Sequence, residues 1–204
     1  MRLIQDINKL RNSEIKVVIE SRLREFSSFE TKNDKEWFSE LCFCLLTANS
    51  KASTAINIQN ELGHKGFLNK NLEEIRETIK RNKHRFHNNK GSYIVDARNY
   101  KSIKKIIVSL NNPREWLVKN IKGLGYKEAS HFLRNVGYFD YSILDRHIIN
   151  LMADNGRIEK PKKINKKGYL EIEKEFRKIA DEVKMSLGEL DLYMWYLKTG
   201  KILK

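Results

Sequence analysis

The stretch Trp116–Gly137, WLVKNIKGLGYKEASHFLRNVG, consists of two amphipathic runs joined by a glycine corner. Its periodicity predicts helix, tight hairpin, helix. Gly123 and Gly125 flank Leu124, so the turn is expected to take positive φ twice and to bring bare backbone close to a ligand. Leu124 is expected to tuck between the two helices. The hairpin amides and the N-terminus of the second helix then point outward, which suits an anion such as a DNA phosphate. A lone Gly-x-Gly is an ordinary corner of two packed helices. The longer pattern, apolar-x-Gly-apolar-Gly-x-Lys-x-Ala, is far more specific.

Working outward, the rest of the chain also reads as helices. Ser13 is placed to cap a first one, with Ile15, Val18, Ile19 and Leu23 on its apolar face. Asn33 or Asp34 caps DKEWFSELCFCLLTAN, which is apolar almost all round at Leu41–Leu46 and predicts a central buried helix. Further helices are expected over 50–61, ended by Gly63, then over 71–81 and 91–110. Pro113 opens the helix before the hairpin. After it come helices over 126–135, 145–154, 169–183 and 186–198, the last stopped by Gly200. The basic run 159–168 reads as a solvated connection. No stretch alternates like a strand, and no 20–50-residue repeat occurs. The predicted class is all-α.

Composition narrows the partners. Lys and Arg number 40 against 26 Asp and Glu, a net charge of +14 that suits a polyanion. Lys- and Glu-rich surfaces also occur in heat-adapted proteins, so charge alone does not decide. The two cysteines, Cys42 and Cys44, are too few for a disulfide framework, a zinc site or an iron–sulfur cluster, and read as small core residues. No apolar run is long enough to span a membrane, and the polar start MRLIQDINKLRN is not a signal peptide. A cytoplasmic, reducing location is expected.

The hairpin segment resembles the helix–hairpin–helix signature of the DNA glycosylase superfamily. In that superfamily a catalytic Asp follows the hairpin, and VGYFDYSILDRHI supplies Asp145, 18 residues after Lys127. A lysine at the position of Lys127 marks the branch that is both glycosylase and lyase. The four C-terminal cysteines of the iron–sulfur members are absent. LCFCLLTANSKAS (Leu41–Ser53) and ELDLYMWYLKTGKILK (Glu189–Lys204) resemble the archaeal-type 8-oxoguanine DNA glycosylases, from about Trp37 to Lys204.

The resemblance implies two helical lobes, 30–136 and 1–29 plus 137–204, with the active site in the cleft between them. Lys127 would be the nucleophile and Schiff-base lysine. The positive end of its helix dipole and desolvation would both favour its neutral amine. Asp145 would cap its own helix and stabilise positive charge developing on the sugar. Asn49 is similar to the superfamily's gap-filling residue, although an Asn at a helix end is equally a simple cap. Trp195 would stack on the extruded base. In the basic turn NKHRFHNNKG, Phe86 is a wedge candidate, and Arg85 and Lys90 are phosphate contacts. Gly123 and Gly125 would hold the DNA backbone. The carboxylate of Lys204 would accept the N7–H that 8-oxoguanine carries and guanine lacks. His64, His84, His87 and His131 have no metal-ligand spacing. No cofactor is required, and the hairpin carbonyls offer a place for a structural cation. The expected partner is double-stranded DNA containing 8-oxoguanine, bound by a monomer and away from membranes. Two rival readings remain at this stage, a glycosylase/lyase for another oxidised base and a non-catalytic helix–hairpin–helix DNA-binding module.

Overall fold

The computed structural model describes residues 2–204, and all regular elements among them are helical. Twelve α-helices follow in chain order: α1 (Arg2–Arg11), α2 (Ile15–Ser27), α3 (Asp34–Thr47), α4 (Ala52–Asn69), α5 (Leu72–Arg81), α6 (His87–Ala97), α7 (Ile103–Val108), α8 (Pro113–Asn120), α9 (Tyr126–Asn135), α10 (Arg146–Asp154), α11 (Lys166–Val183) and α12 (Leu187–Thr199). None of these is long and apolar enough to cross a membrane.

Local chemistry explains most boundaries. Asn33 accepts hydrogen bonds from Lys35 N and Glu36 N, and the Glu36 carboxylate in return accepts from Asn33 N, closing a capping box on α3. Asn71 and Glu74 do the same for α5. Each box is worth roughly 1 kcal/mol. Ser186 caps α12 through Glu189 N, and Gly200 ends that helix in the left-handed region at φ 67°.

Five expectations need correction. Residues before Ser13 form a helix of their own, α1, because Leu3 and Ile7 fall on one face and are buried. Ser13 does not cap α2; its hydroxyl donates to Leu10 O and closes α1. Gly63 kinks the chain at φ 56° without ending the helix, and Gly66 and Phe67 are buried beyond it. The stretch 91–110 is two helices, and the first starts earlier, at His87. Arg98 pins the break between them by donating to Phe67 O and Lys70 O. Asn165 caps α11, which starts at Lys166, three residues before the expected start, so the basic connection is shorter.

Buried apolar side chains form two clusters. One runs from Trp37 on α3 to Val136 at the end of α9. The other joins Leu3, Ile7, Ile19 and Phe26 to residues between Leu144 and Met194. Cys42 and Cys44 are fully buried in the first, and burial pushes both thiols up, so they serve as packing rather than chemistry.

One polar bridge ties the hairpin to α11. Arg114 on α8 makes two hydrogen bonds of 2.7 Å to the Glu173 carboxylate, with the rings of Tyr126, Tyr141 and Tyr169 around its guanidinium. Most other ion pairs are exposed and contribute about 0–1 kcal/mol each. Breaking this buried one costs several times that.

Candidate active site

The hairpin takes one positive φ, not two. Gly123 sits at φ 93°, and a Cβ there would lie 2.4 Å from the Tyr93 ring. Only glycine meets both demands. Gly125 has φ −95° and ψ −174°, ordinary extended backbone, so its small size matters rather than its torsion. Leu124 is buried, and its N–H donates to Ile121 O at 3.2 Å. Gly125 N donates to Glu128 Oε2 at 3.3 Å, which caps α9 and leaves Lys127 in its first turn.

Lys127 is partly exposed, and its Nζ lies 3.0 Å from Glu128 Oε1. The neighbouring carboxylate therefore holds the Lys127 ammonium in an ion pair.

Asp145 is set by a braced loop. Glu173 Oε1 accepts from Ser142 N and Ser142 Oγ, both at 3.1 Å. Tyr169 donates its hydroxyl to Ser142 O at 2.7 Å and accepts from Leu144 N at 3.3 Å. The next residue, Asp145, caps α10 with one oxygen only. Its Oδ1 accepts from His147 N at 2.8 Å and Ile148 N at 2.9 Å. Oδ2 takes no part in the cap.

A cavity opens where the two buried clusters meet, lined by Lys127 and His131 from α9, Asp145, Asp191 and Trp195 from α12, and Leu203 and Lys204. Four residues singled out from the sequence, Lys127, Asp145, Trp195 and Lys204, thus share one wall-to-wall space. Trp195 is half-buried, and its ring meets the His147 ring edge to face at 5.2 Å. A Lys204 main-chain oxygen lies 3.3 Å from His131 Nε2.

Sequence reasoning missed His131, Arg134 and Asp191. Arg134 and Asp191 pair at 2.8 Å, both almost fully buried. Burial raises the Asp191 carboxyl and Arg134 pulls it back, while the charge of Asp145 adds to the rise. His131 is held neutral by burial next to Arg134 and Lys127. A signal was present: Lys127, His131 and Arg134 stand four and three residues apart, on one helix face. Asp191 is the lone acid in the apolar run Leu190–Met194, a pattern that asks for a buried partner.

The remaining candidates lie outside the cavity lining. Asn49 is exposed just past α3 at φ 59°. Buried His84 bonds Leu46 O at 2.9 Å and accepts from Phe86 N at 3.2 Å through Nδ1, so its Nε2 carries the hydrogen. This ties Arg85 and Phe86 to the end of α3 near Asn49. Phe86 is 38% exposed with the Arg85 guanidinium 5.1 Å over its ring. Lys90 is a correction. Because α6 starts at His87, Lys90 turns inward over Tyr93 and is buried, with its ammonium pushed down to about 8 by desolvation. It does not face a phosphate. Among the described residues no group of three or more His, Cys, Asp or Glu could hold a metal ion.

Comparison with known proteins matches this geometry. A family model described as 8-oxoguanine DNA glycosylase matches residues 19–185. An 8-oxoguanine DNA glycosylase/AP lyase of Methanocaldococcus jannaschii is 53% identical over 208 residues, with 100% of both chains covered. The crystal structure of the M. jannaschii 8-oxoguanine glycosylase/lyase in complex with a 15mer DNA containing 8-oxoguanine superposes at a TM-score of 0.97, with 53% identity and 100% of both chains covered. The 8-oxoguanine DNA glycosylase of Thermotoga maritima superposes at 0.93, with 41% identity, 100% of this chain and 99% of that one.

Proposed function

The chain belongs to the 8-oxoguanine DNA glycosylase family, and from that premise we propose that it excises 8-oxoguanine from duplex DNA and cleaves the resulting abasic site. The observation that carries the reading is the meeting of Lys127 and Asp145 in one cavity beside the hairpin. A DNA-binding module needs the glycines but not that pair.

The damaged nucleotide leaves the stack so that C1′ reaches Lys127 Nζ. Released from Glu128 and deprotonated, the amine attacks C1′, and the glycosidic electron pair leaves with the base, which takes up a proton. Opening of the sugar ring gives an imine between Nζ and C1′. Removal of a C2′ proton then expels the 3′-phosphate. Asp145 Oδ2 faces the positive charge that develops on the sugar, in a position fixed by the cap. Trp195 stacks on the base. The Lys204 oxygen accepts its N7–H, and guanine, with an acceptor at N7, leaves two acceptors opposed. Asn49 fills the vacated stack, with Phe86 beside it and Arg85 and the hairpin on the phosphates.

No redox or organic cofactor enters these steps. The hairpin carbonyls are hard oxygen donors, and Ile121 O keeps a lone pair besides the one accepting Leu124 N–H, so a cation fits there as a brace of the turn. We place the protein in the cytoplasm, acting as a monomer. Borohydride reduction in the presence of duplex bearing 8-oxoguanine tests the function. A covalent adduct is expected, and a duplex with an oxidised pyrimidine competing better than 8-oxoguanine would reassign the substrate.

Two further outcomes follow from the proposed contacts. With four to six phosphates neutralised, log K for non-specific duplex should fall with log[salt] at a slope of about −4 to −5. Titrations at several salt concentrations check this, and a flat response removes the backbone grip. Deleting Lys204 should cut excision of 8-oxoguanine by roughly 1–3 kcal/mol of lost recognition and spare cleavage of a preformed abasic site, which offers no base to read. Parallel assays on both substrates decide, and equal loss of the two activities would mean that Lys204 serves folding alone.

A further inference from the structure

Glu40 is a buried acid that the reaction above does not use. It sits on α3 at 1% exposure, surrounded by core. Its Oε1 accepts from Asn135 Nδ2 at 2.6 Å. Its Oε2 accepts from the Lys204 ammonium and from Gln59 Nε2. Lys204 Nζ also donates to Gln59 Oε1 at 2.8 Å and lies 4.6 Å over the Phe43 ring.

A carboxylate at that depth requires a cation, and Lys204 is the one in contact with it. Residues 201–204 have no regular structure of their own to hold Lys204 in place. The pairing therefore runs both ways: the core acid needs the lysine, and the tail needs the acid. The opposite end of the same residue, its main-chain oxygen, is the one beside His131 in the cavity.

We propose that Glu40 is the positioning residue for base specificity: by clamping the Lys204 side chain in the core, it aims the Lys204 main-chain oxygen at the extruded base. The proposal rests on the function given above. Through Asn135 the same carboxylate also grips the end of α9, the helix that carries Lys127 and His131. One acid thus sets the distance between reader and nucleophile.

Glu40→Gln is the discriminating variant. Its amide oxygen still accepts from Asn135, but its NH₂ then faces the Lys204 ammonium, donor against donor. The tail is released, and Lys127, Asp145 and the hairpin keep their contacts. The expected result is a loss of at least tenfold in kcat/KM for 8-oxoguanine excision, with abasic-site cleavage changed less than threefold. A role in stability alone would lower both activities together. Lys204→Gln, which keeps the main-chain oxygen, should lose excision to a similar extent, and the double variant should be no worse than either single one. Proportional loss of both activities, unimpaired excision, or additive losses in the double variant would each overturn the proposal. If the unsubstituted protein released no 8-oxoguanine, the proposed function itself would fall and this inference with it. Intact wild-type excision that is unmoved in Glu40→Gln overturns the inference alone.

Discussion

Lys127→Gln is expected to abolish both borohydride trapping and base release while leaving duplex affinity within a few-fold of the original. Glutamine is close to lysine in length and has no nucleophilic nitrogen, so no imine can form. Loss of a sole nucleophile costs at least about 10³-fold, the lower end of what removing such a group does elsewhere. The fold should not suffer. The Lys127–Glu128 pair is partly exposed, and such pairs contribute about 0–1 kcal/mol. Affinity should persist because the proposed hairpin grip runs through backbone, and Gly123 and Leu124 are placed by Tyr93 and by Ile121 O rather than by Lys127. Single-turnover excision, trapping on a gel and a binding titration together make the test. Undiminished strand cleavage would remove Lys127 from the reaction.

Asp145→Asn should slow excision by roughly 10²-fold or more, the scale on which a positioned charge stabiliser acts. The structure sharpens the reason for choosing Asn. Both cap hydrogen bonds go to Oδ1, which an asparagine oxygen replaces with almost no loss of helix stability. Only the second oxygen changes, from an anion to an amide. Circular dichroism and a melting curve within a few degrees of wild type should accompany the loss. A variant that melts far lower yet is fully active per folded molecule would reduce Asp145 to a cap.

The sequence carried most of what depends on near neighbours along the chain. Helical periodicity, the Asn33 and Asp145 caps, Pro113 at a helix start and Gly200 at a helix end are all read within one turn of the backbone. The same holds for the hairpin, whose glycines, leucine and lysine occupy five consecutive positions. Two errors were themselves local, the Ser13 hydroxyl that closes α1 and the Asn165 cap of α11; others came where a distant partner overrode local preference. Arg98 breaks one helix by reaching carbonyls 31 and 28 residues earlier, and burial of Phe67 carries α4 past Gly63.

What only the tertiary structure decided is which way side chains face and which distant ones meet. Lys90 reads as a phosphate contact in a basic stretch, yet the phase of α6 turns it into the interior. The sequence sets His131 and Arg134 on one helix face and marks Asp191 as an acid in need of a partner, but for these residues, as for Glu40, it does not say which residue each will meet. Each is buried against a partner between 57 and 164 residues away. A buried charge is tolerated only when another is brought to it, and no local pattern encodes that encounter. The cavity has the same origin. Lys127, Asp145, Trp195 and Lys204 come from separate segments, and the packing of two cores brings them to one space.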